Sequence, residues 1–418
     1  MSPAGKGKQP VNGSQPHLPQ WLDRIWLTLT VILIVVVLLR HSPGWVCAHM
    51  GVDFRGYYAS AQIAWQHGFS EVYNPDVQAE FQTSLIMRCP GAVETPLLVA
   101  MPYLPVFVLL FMPLPLLDFT TSYLVYSVCH LLILALYLFR IAKAGGGKLG
   151  LRQLLPWMVS IPVIFNLFLG QSNVYLVICL GEFALALARG RRLTAGVWLG
   201  ILLIKPNALI LLLPGLVLGR HWRTLTGFTV SSGLILAGSL LLAGVDGVAG
   251  ALHLAYRFAG PLIETATTMM NWRALAIHLT GLLPDWLVWG IASAGMASVA
   301  LLVWALWLHF HADCPEWPIW LVLATYAGTC AVTWHSHVYM LMPIAPLLLY
   351  LDARHLLPNG LRATWLLVPP IVFLGAALLQ PGFAEQWLGL GMLGLNLRIL
   401  FWSFPARRKG IVLGAVKE

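Results

Sequence analysis

The sequence predicts an all-α polytopic membrane protein, and three observations predict it. Of its 418 residues, 59% are hydrophobic and only 10% are charged, whereas a soluble domain carries about a quarter charged residues. Mean hydropathy is +0.78. Apolar runs such as 26–39, 228–242 and 287–308 meet or approach the roughly 20 residues that a bilayer-spanning helix needs. The formal net charge of +9 does not indicate nucleic acid. The basic residues stand in short clusters between apolar runs, which is the pattern of cytoplasmic loops facing anionic lipid headgroups.

Residues 1–20 carry Lys6 and Lys8 among Gly, Pro, Ser and Gln, a composition that cannot bury a core. They are expected to form a disordered cytosolic tail. The apolar run that follows lacks a convincing small-residue cleavage site and closes on Arg40 and His41, so it reads as an uncleaved first span over 24–40. That span delivers 41–96 to the far side of the membrane. This first extracytoplasmic loop holds five of the 16 acidic residues: Asp53, Glu71, Asp76, Glu80 and Glu94. Phe54, Tyr57, Tyr58, Ala61, Ala64, Trp65 and Gly68 recur at helical spacing, and their aromatic face is expected to lie along the membrane surface. Asp53 stands at the N-cap position, and a second short helix is expected over 75–85 with proline at its start. Cys47 and Cys89 are the only two of the six cysteines placed to pair outside the cytosol. Two unrelated free thiols are the alternative, since spacing does not prove pairing. Cys129, Cys179, Cys314 and Cys330 show no metal-ligand spacing.

Basic clusters mark the cytosolic returns at Arg140, Lys143, Lys148 and Arg152; at Arg189, Arg191 and Arg192; at Arg220 and Arg223; at Arg354 and Arg362; and in the tail 406–418 at Arg407, Arg408 and Lys409. Thirteen apolar segments can be drawn between them, but a cytosolic C-terminus needs an even number of crossings. Pro96 just before 97–140 and Pro102, Pro105, Pro113 and Pro115 within it are therefore expected to break that region into a re-entrant piece plus one full span. Two further segments are broken in the middle, 154–188 at Gly170-Gln171-Ser172-Asn173 and 194–219 at Lys205-Pro206-Asn207, and read as hairpins. Spans follow near 225–243, 285–308, 317–333, 337–352, 363–380 and 386–402. Residues 21–405 thus read as one transmembrane domain of about 12 transmembrane or re-entrant helices. Residues 244–284 and the Trp334–His337 turn fall on the same side as Asp53.

Three polar groups stand out. Asp53, in Asp53-Phe54-Arg55-Gly56-Tyr57-Tyr58, opens a helix where the chain leaves the membrane; capping that helix and catalysing a reaction are compatible roles. His335-Ser336-His337 lies between two spans. One of its imidazoles near a carboxylate would orient substrate or neutralise a leaving phosphate, while an interfacial polar belt is the plainer alternative. The third group is Lys205 inside an apolar run, with Arg257 and Arg273 in 244–284. A cation within a membrane usually faces a cavity, although snorkelling would also house Lys205, and solvated loop positions would house the arginines. Arginine's planar fork suits a lipid phosphate. No nucleotide-binding glycine loop, serine elbow or HExxH is present.

Asp53-Phe54 with Tyr57-Tyr58, then Gly68 and Tyr73, Tyr103-Leu104-Pro105, Gly170-Gln171-Ser172-Asn173, Gly196 through Lys205-Pro206 and the late His337 together resemble glycosyltransferase family 87. The likeness runs over roughly 24–350. It implies a GT-C-type helix bundle in a bacterial inner (plasma) membrane, with both termini cytosolic and an extracytoplasmic active site. It also implies a donor sugar, most often mannose, carried on polyprenyl phosphate and passed to a glycolipid or glycan acceptor. By position and neighbours, Asp53 matches the family's catalytic base. Arg55, Tyr57, Tyr58, Gln171, Asn173, Lys205, Arg257, Arg273 and one of His335 or His337 would then bind substrate or donor phosphate. A single proline after Tyr103-Leu104, where two are expected, leaves the local helix break open. The implied displacement needs no cofactor and no metal, and a divalent ion bridging Asp53 and phosphate is compatible with it. Two other classes compete: a transporter or flippase of lipid-linked sugars, which usually shows two related halves, and a non-catalytic assembly subunit.

Overall fold

The computed structural model describes residues 20–40, 50–86, 99, 101–147, 151–258, 269–309, 316–379 and 383–403. The two predicted tails, Cys47, Cys89 and the side chain of Arg257 lie outside the described residues. The chain runs through α1 (Gln20–Arg40), α2 (Val52–His67), α3 (Pro75–Ile86), α4 (Phe119–Ala144), α5 (Leu151–Met158), α6 (Ile161–Leu169), α7 (Asn173–Ala188) and α8 (Arg192–Ile201). It continues through α9 (Leu212–Leu218), α10 (Trp222–Phe258), α11 (Trp272–Leu279), α12 (Asp285–Leu308), α13 (Trp317–Val332), α14 (Ile344–Ala353), α15 (Asn359–Leu378) and α16 (Phe383–Trp402). No strand occurs among the described residues. Helices α1, α4, α10, α12 and α15 are long and apolar enough to cross a membrane, and shorter apolar helices fill the spaces between them.

At the centre stand α7, α13 and α14, which pack on one another. In α13 every residue from 317 to 331 is buried, so its sequence is apolar all round and carries no stripe. The peripheral α10 is the reverse case, with Val230, Leu234, Leu236 and Leu241 exposed as a lipid-facing surface would require. Lipid removes the hydrophobic drive for two helices to associate, so contact depends on close packing of small residues. Helices α8 and α10 meet in this way. A Cβ on Gly196 would stand 2.0 Å from the Thr224 carbonyl oxygen, and one on Gly227 2.2 Å from that of Leu193. Gly196→Leu is therefore expected to cost about 1–3 kcal/mol or more by overpacking, read as a lower unfolding temperature in detergent, whereas Gly233→Leu, with open space around it, should change little.

The structure corrects three local expectations. The helix opens at Val52 with Gly51 as N-cap, in the left-handed conformation (φ 69) and donating its N–H to the Phe168 carbonyl at 2.7 Å. Asp53 is thus not the cap; it lies in the first turn, where the helix dipole still favours its charge. Second, α2 does not lie along a surface. Phe54, Tyr57, Tyr58, Ala61 and Ala64 are buried in the protein, and exposure begins only at Trp65 in the last turn. Phe54 sits among Tyr58, Phe119, Tyr123 and Tyr126, with ring centroids 5.1–6.1 Å away. Third, α10 is interrupted at Gly244, whose backbone is not helical (φ 66, ψ −172), about where the expected span over 225–243 ends, but a second helical stretch follows it to Phe258, so 245–258 is not loop.

The remainder of the first loop is pinned by amides. Gln78 donates to the Ser60 hydroxyl at 2.9 Å and the Val72 carbonyl at 2.8 Å. Gln82 donates to the Val99 carbonyl and accepts its N–H, both at 2.9 Å. Residue 99 is thereby held over α2, where a Cβ on Gly56 would come within 3.1 Å of the Val99 oxygen.

Candidate active site

Two helix breaks deliver the polar side chains. Between α6 and α7 the chain turns at Gly170 (φ 71), where an added Cβ would fall 2.5 Å from the Cβ of Phe54. Only glycine lets this turn press against the helix carrying Asp53. Between α8 and α9 the helix gives way to 3₁₀ turns on either side of Lys205, because Pro206 cannot supply the next N–H.

The two breaks and α2 converge. Gln171 Nε2 donates to Asp53 Oδ2 at 2.6 Å, and Gln171 Oε1 accepts from Lys205 Nζ at 2.5 Å and from the Tyr57 hydroxyl at 3.1 Å. Lys205 also donates to Asn173 Oδ1 at 2.7 Å, and Asn173 Nδ2 donates to the Tyr339 carbonyl at 3.2 Å. The Tyr57 hydroxyl lies 3.1 Å from that of Tyr103 and 3.3 Å from Ser172 Oγ. Lys205 does not snorkel: it is buried, with Nζ 5.4 Å from the Tyr339 ring centroid. An anion, an amide and a cation are thus connected in series, each supplied by a different segment.

Asp53 is crowded by protein yet only half-buried, so a substrate can reach it. Burial raises its pKa, while the Gln171 hydrogen bond and the charges of Lys205 and Arg55 pull it down; the net result is a carboxylate more basic than an ordinary aspartate. Arg55 is buried, and its Nε has no hydrogen-bond partner among the described residues. Burial lowers its pKa and Asp53 raises it, but guanidinium remains charged. A buried cation with an unsatisfied donor is poised for an anionic group.

The His335–His337 turn is fixed through its backbone. The carbonyls of Thr333, Trp334, His335 and Ser336 accept in turn from Asn271 Nδ2 (2.9 Å), Arg273 Nη1 (3.2 Å), Asn207 Nδ2 (3.2 Å) and the Met270 N–H (2.9 Å). The His335 and His337 rings lie 4.6 Å apart, and His337 is 5.3 Å from Tyr339. Burial first, then Lys205 and Arg273, push the His335 imidazole down to about 4. It is therefore neutral at neutral pH and acts as a hydrogen-bonding group rather than a cation. Arg273, expected in a solvated loop or on phosphate, is instead buried against the Trp334 ring at 4.1 Å.

Of the residues singled out in the sequence, Asp53, Tyr57, Gln171, Asn173 and Lys205 form one network. His335 and Arg273 stand beside it as electrostatic neighbours. Tyr58 does not join it, because its hydroxyl donates to the Leu117 carbonyl at 2.8 Å. Tyr103, Ser172, Asn207, Asn271 and Tyr339 were not among the candidates. The first three lie inside stretches already marked as motifs or helix breaks; Asn271 and Tyr339 carry no local signal. Among the described residues, no three His, Cys, Asp or Glu side chains gather as a metal site would.

The model of glycosyltransferase family 87 matches residues 102–333, more than half of the 418. The chain belongs to that family. No curated protein and no solved structure matches it. The match contains Tyr103, Gln171, Asn173, Lys205 and Arg273; Asp53 precedes it and His335 follows it by two residues. This family 87 glycosyltransferase therefore brings Asp53 from outside the matched stretch into hydrogen-bonded contact with residues inside it.

Proposed function

We propose that this glycosyltransferase transfers a hexose, most simply mannose, from a polyprenyl-phosphate sugar to a hydroxyl of a glycolipid or glycan on the extracytoplasmic face of a bacterial inner membrane. Asp53 takes the proton from the acceptor O–H as general base. The acceptor oxygen forms its bond to the anomeric carbon while the bond from that carbon to the phosphate oxygen breaks, and the electron pair leaves with the phosphate. One displacement inverts the anomeric configuration. The departing phosphate already carries charge, so it needs preorganised cations more than a proton, and Lys205 and Arg55 supply them. Neutral His335, or His337, donates a hydrogen bond. The step needs no cofactor, and a divalent ion between Asp53 and phosphate remains compatible with it.

One observation carries the reading: a basic carboxylate and a buried ammonium are held side by side through one amide. A base for the acceptor and a counter-charge for the leaving group are the two things the displacement requires. No observation favours a transporter.

Purified protein in liposomes is expected to transfer radiolabelled mannose from a short-chain polyprenyl-phosphate mannose to a membrane glycolipid extract, and not from nucleotide-linked mannose. The product's anomeric proton, read by NMR, should be opposite in configuration to the donor's. Transfer from the nucleotide donor alone, or retention of configuration, would overturn the proposal.

A further inference from the structure

Helix α4 carries polar groups near Asp53 that the network does not use. Tyr126 and His130 are four residues apart and therefore share a helix face; their ring centroids are 3.8 Å apart. Both are more than nine-tenths buried, at 7% and 3% exposure. His130 Nδ1 is engaged with the Tyr126 carbonyl at 2.9 Å. The Tyr126 hydroxyl and His130 Nε2 have no hydrogen-bond partner among the described residues. Tyr175, from α7, closes the other side, 5.3 Å from His130. The Tyr126 ring packs tilted against Phe54, the residue after Asp53, with centroids 5.1 Å apart, and its hydroxyl lies within electrostatic reach of Asp53 and Tyr103.

Two buried polar atoms without partners cost free energy unless a ligand or water satisfies them. Neither group carries a fixed charge, in contrast to the Lys205 side, so an anion is the wrong occupant. An uncharged, hydroxyl-bearing molecule is the right one: phenol and imidazole can each donate to or accept from an O–H, and aromatic faces cover the C–H surface of a sugar ring.

We infer that Tyr126 and His130 form the acceptor subsite, hydrogen-bonding a hydroxyl of the acceptor sugar next to the one that Asp53 deprotonates. The assignment rests on the proposed transfer reaction for the word acceptor, but not for the sugar chemistry. It divides the site into a cationic half for the donor phosphate and a neutral, aromatic half for the acceptor.

The test is Tyr126→Phe, which removes only the hydroxyl. Binding of n-octyl mannoside to the protein in nanodiscs, followed by intrinsic fluorescence, should weaken about fivefold, the usual worth of one neutral hydrogen bond. The KM for polyprenyl-phosphate mannose should not move. The unfolding temperature should hold or rise, because a buried group without a partner is gone. A structural water between the two residues would give the opposite pattern, with lower stability and unchanged binding. Unchanged octyl mannoside affinity overturns the inference, as does a loss of affinity accompanied by a fall of several degrees in the unfolding temperature. His130→Phe provides the second variant under the same criterion of weakened binding. The two readings fail separately. If the wild type transfers mannose but Tyr126→Phe binds normally, only the subsite is wrong. If the wild type binds octyl mannoside through Tyr126 but transfers nothing from the lipid donor, only the reaction is wrong.

Discussion

Asp53→Asn should lower transfer by about three orders of magnitude, the middle of the range for losing a positioned base. The substitution is nearly isosteric, and an amide oxygen can still accept from Gln171 Nε2, so the hydrogen bond that ties α2 to the Gly170 turn survives. What is lost is a lone pair basic enough to take the acceptor proton. Donor affinity and unfolding temperature are expected to stay near wild type. Product formation is followed in liposomes with labelled donor, under single-turnover conditions so that release does not mask the chemical step. Retention of more than a tenth of the wild-type rate would remove Asp53 from its assigned role. The pH profile supplies an independent check. Asp53 acts only when ionised and its pKa is raised, so activity should fall as pH drops through a value above that of an ordinary aspartate. The asparagine variant's residual activity should lose that limb.

Lys205→Met is expected to have the second-largest effect, about a hundredfold on kcat/KM, the scale seen when one preorganised charge is removed from a site of this kind. Methionine matches the length and the apolar surroundings but leaves Gln171 Oε1 and Asn173 Oδ1 without their ammonium donor. It also removes a positive charge that lowers the Asp53 pKa, so the acid limb should move to higher pH as the rate falls. That coupled shift separates loss of the charge from loss of packing, since a purely structural defect would lower the rate without displacing the limb. Lys205→Arg should rescue poorly, because a planar fork cannot meet two oxygens at 2.5 and 2.7 Å as a compact ammonium does. An unshifted limb in the methionine variant would show that Lys205 does not act on Asp53.

Much of the helical frame was legible in the amino-acid order. The breaks at Gly170-Gln171-Ser172-Asn173 and Lys205-Pro206-Asn207 appear where glycine and proline forbid a regular helix, and both fall within a residue or two of the expected place. The long apolar helices α1, α4, α12 and α15 lie where the runs do. Where local reading failed, the physical causes were specific. The span near 225–243 does stop at the non-helical Gly244, but the chain resumes helix from there to Phe258 where a loop is expected. The aromatic pattern of α2 fits a membrane surface and a protein interior equally well, since both bury rings. Interior packing prevailed because Phe111 stacks on Tyr57 at 4.5 Å and the rings around Phe54 enclose it.

Composition and punctuation by themselves determined that this chain belongs in a bilayer, where its helices break, and that Asp53 and Lys205 are its unusual charges. Those are properties of single residues and of their near neighbours in sequence. That Gln171 joins the two, that Tyr126 packs against Phe54 beside that carboxylate, and that Arg273 is occupied with Trp334 were decided only by the tertiary structure. Each depends on distances between segments more than thirty residues apart, and no periodicity along one helix encodes the register of another against it.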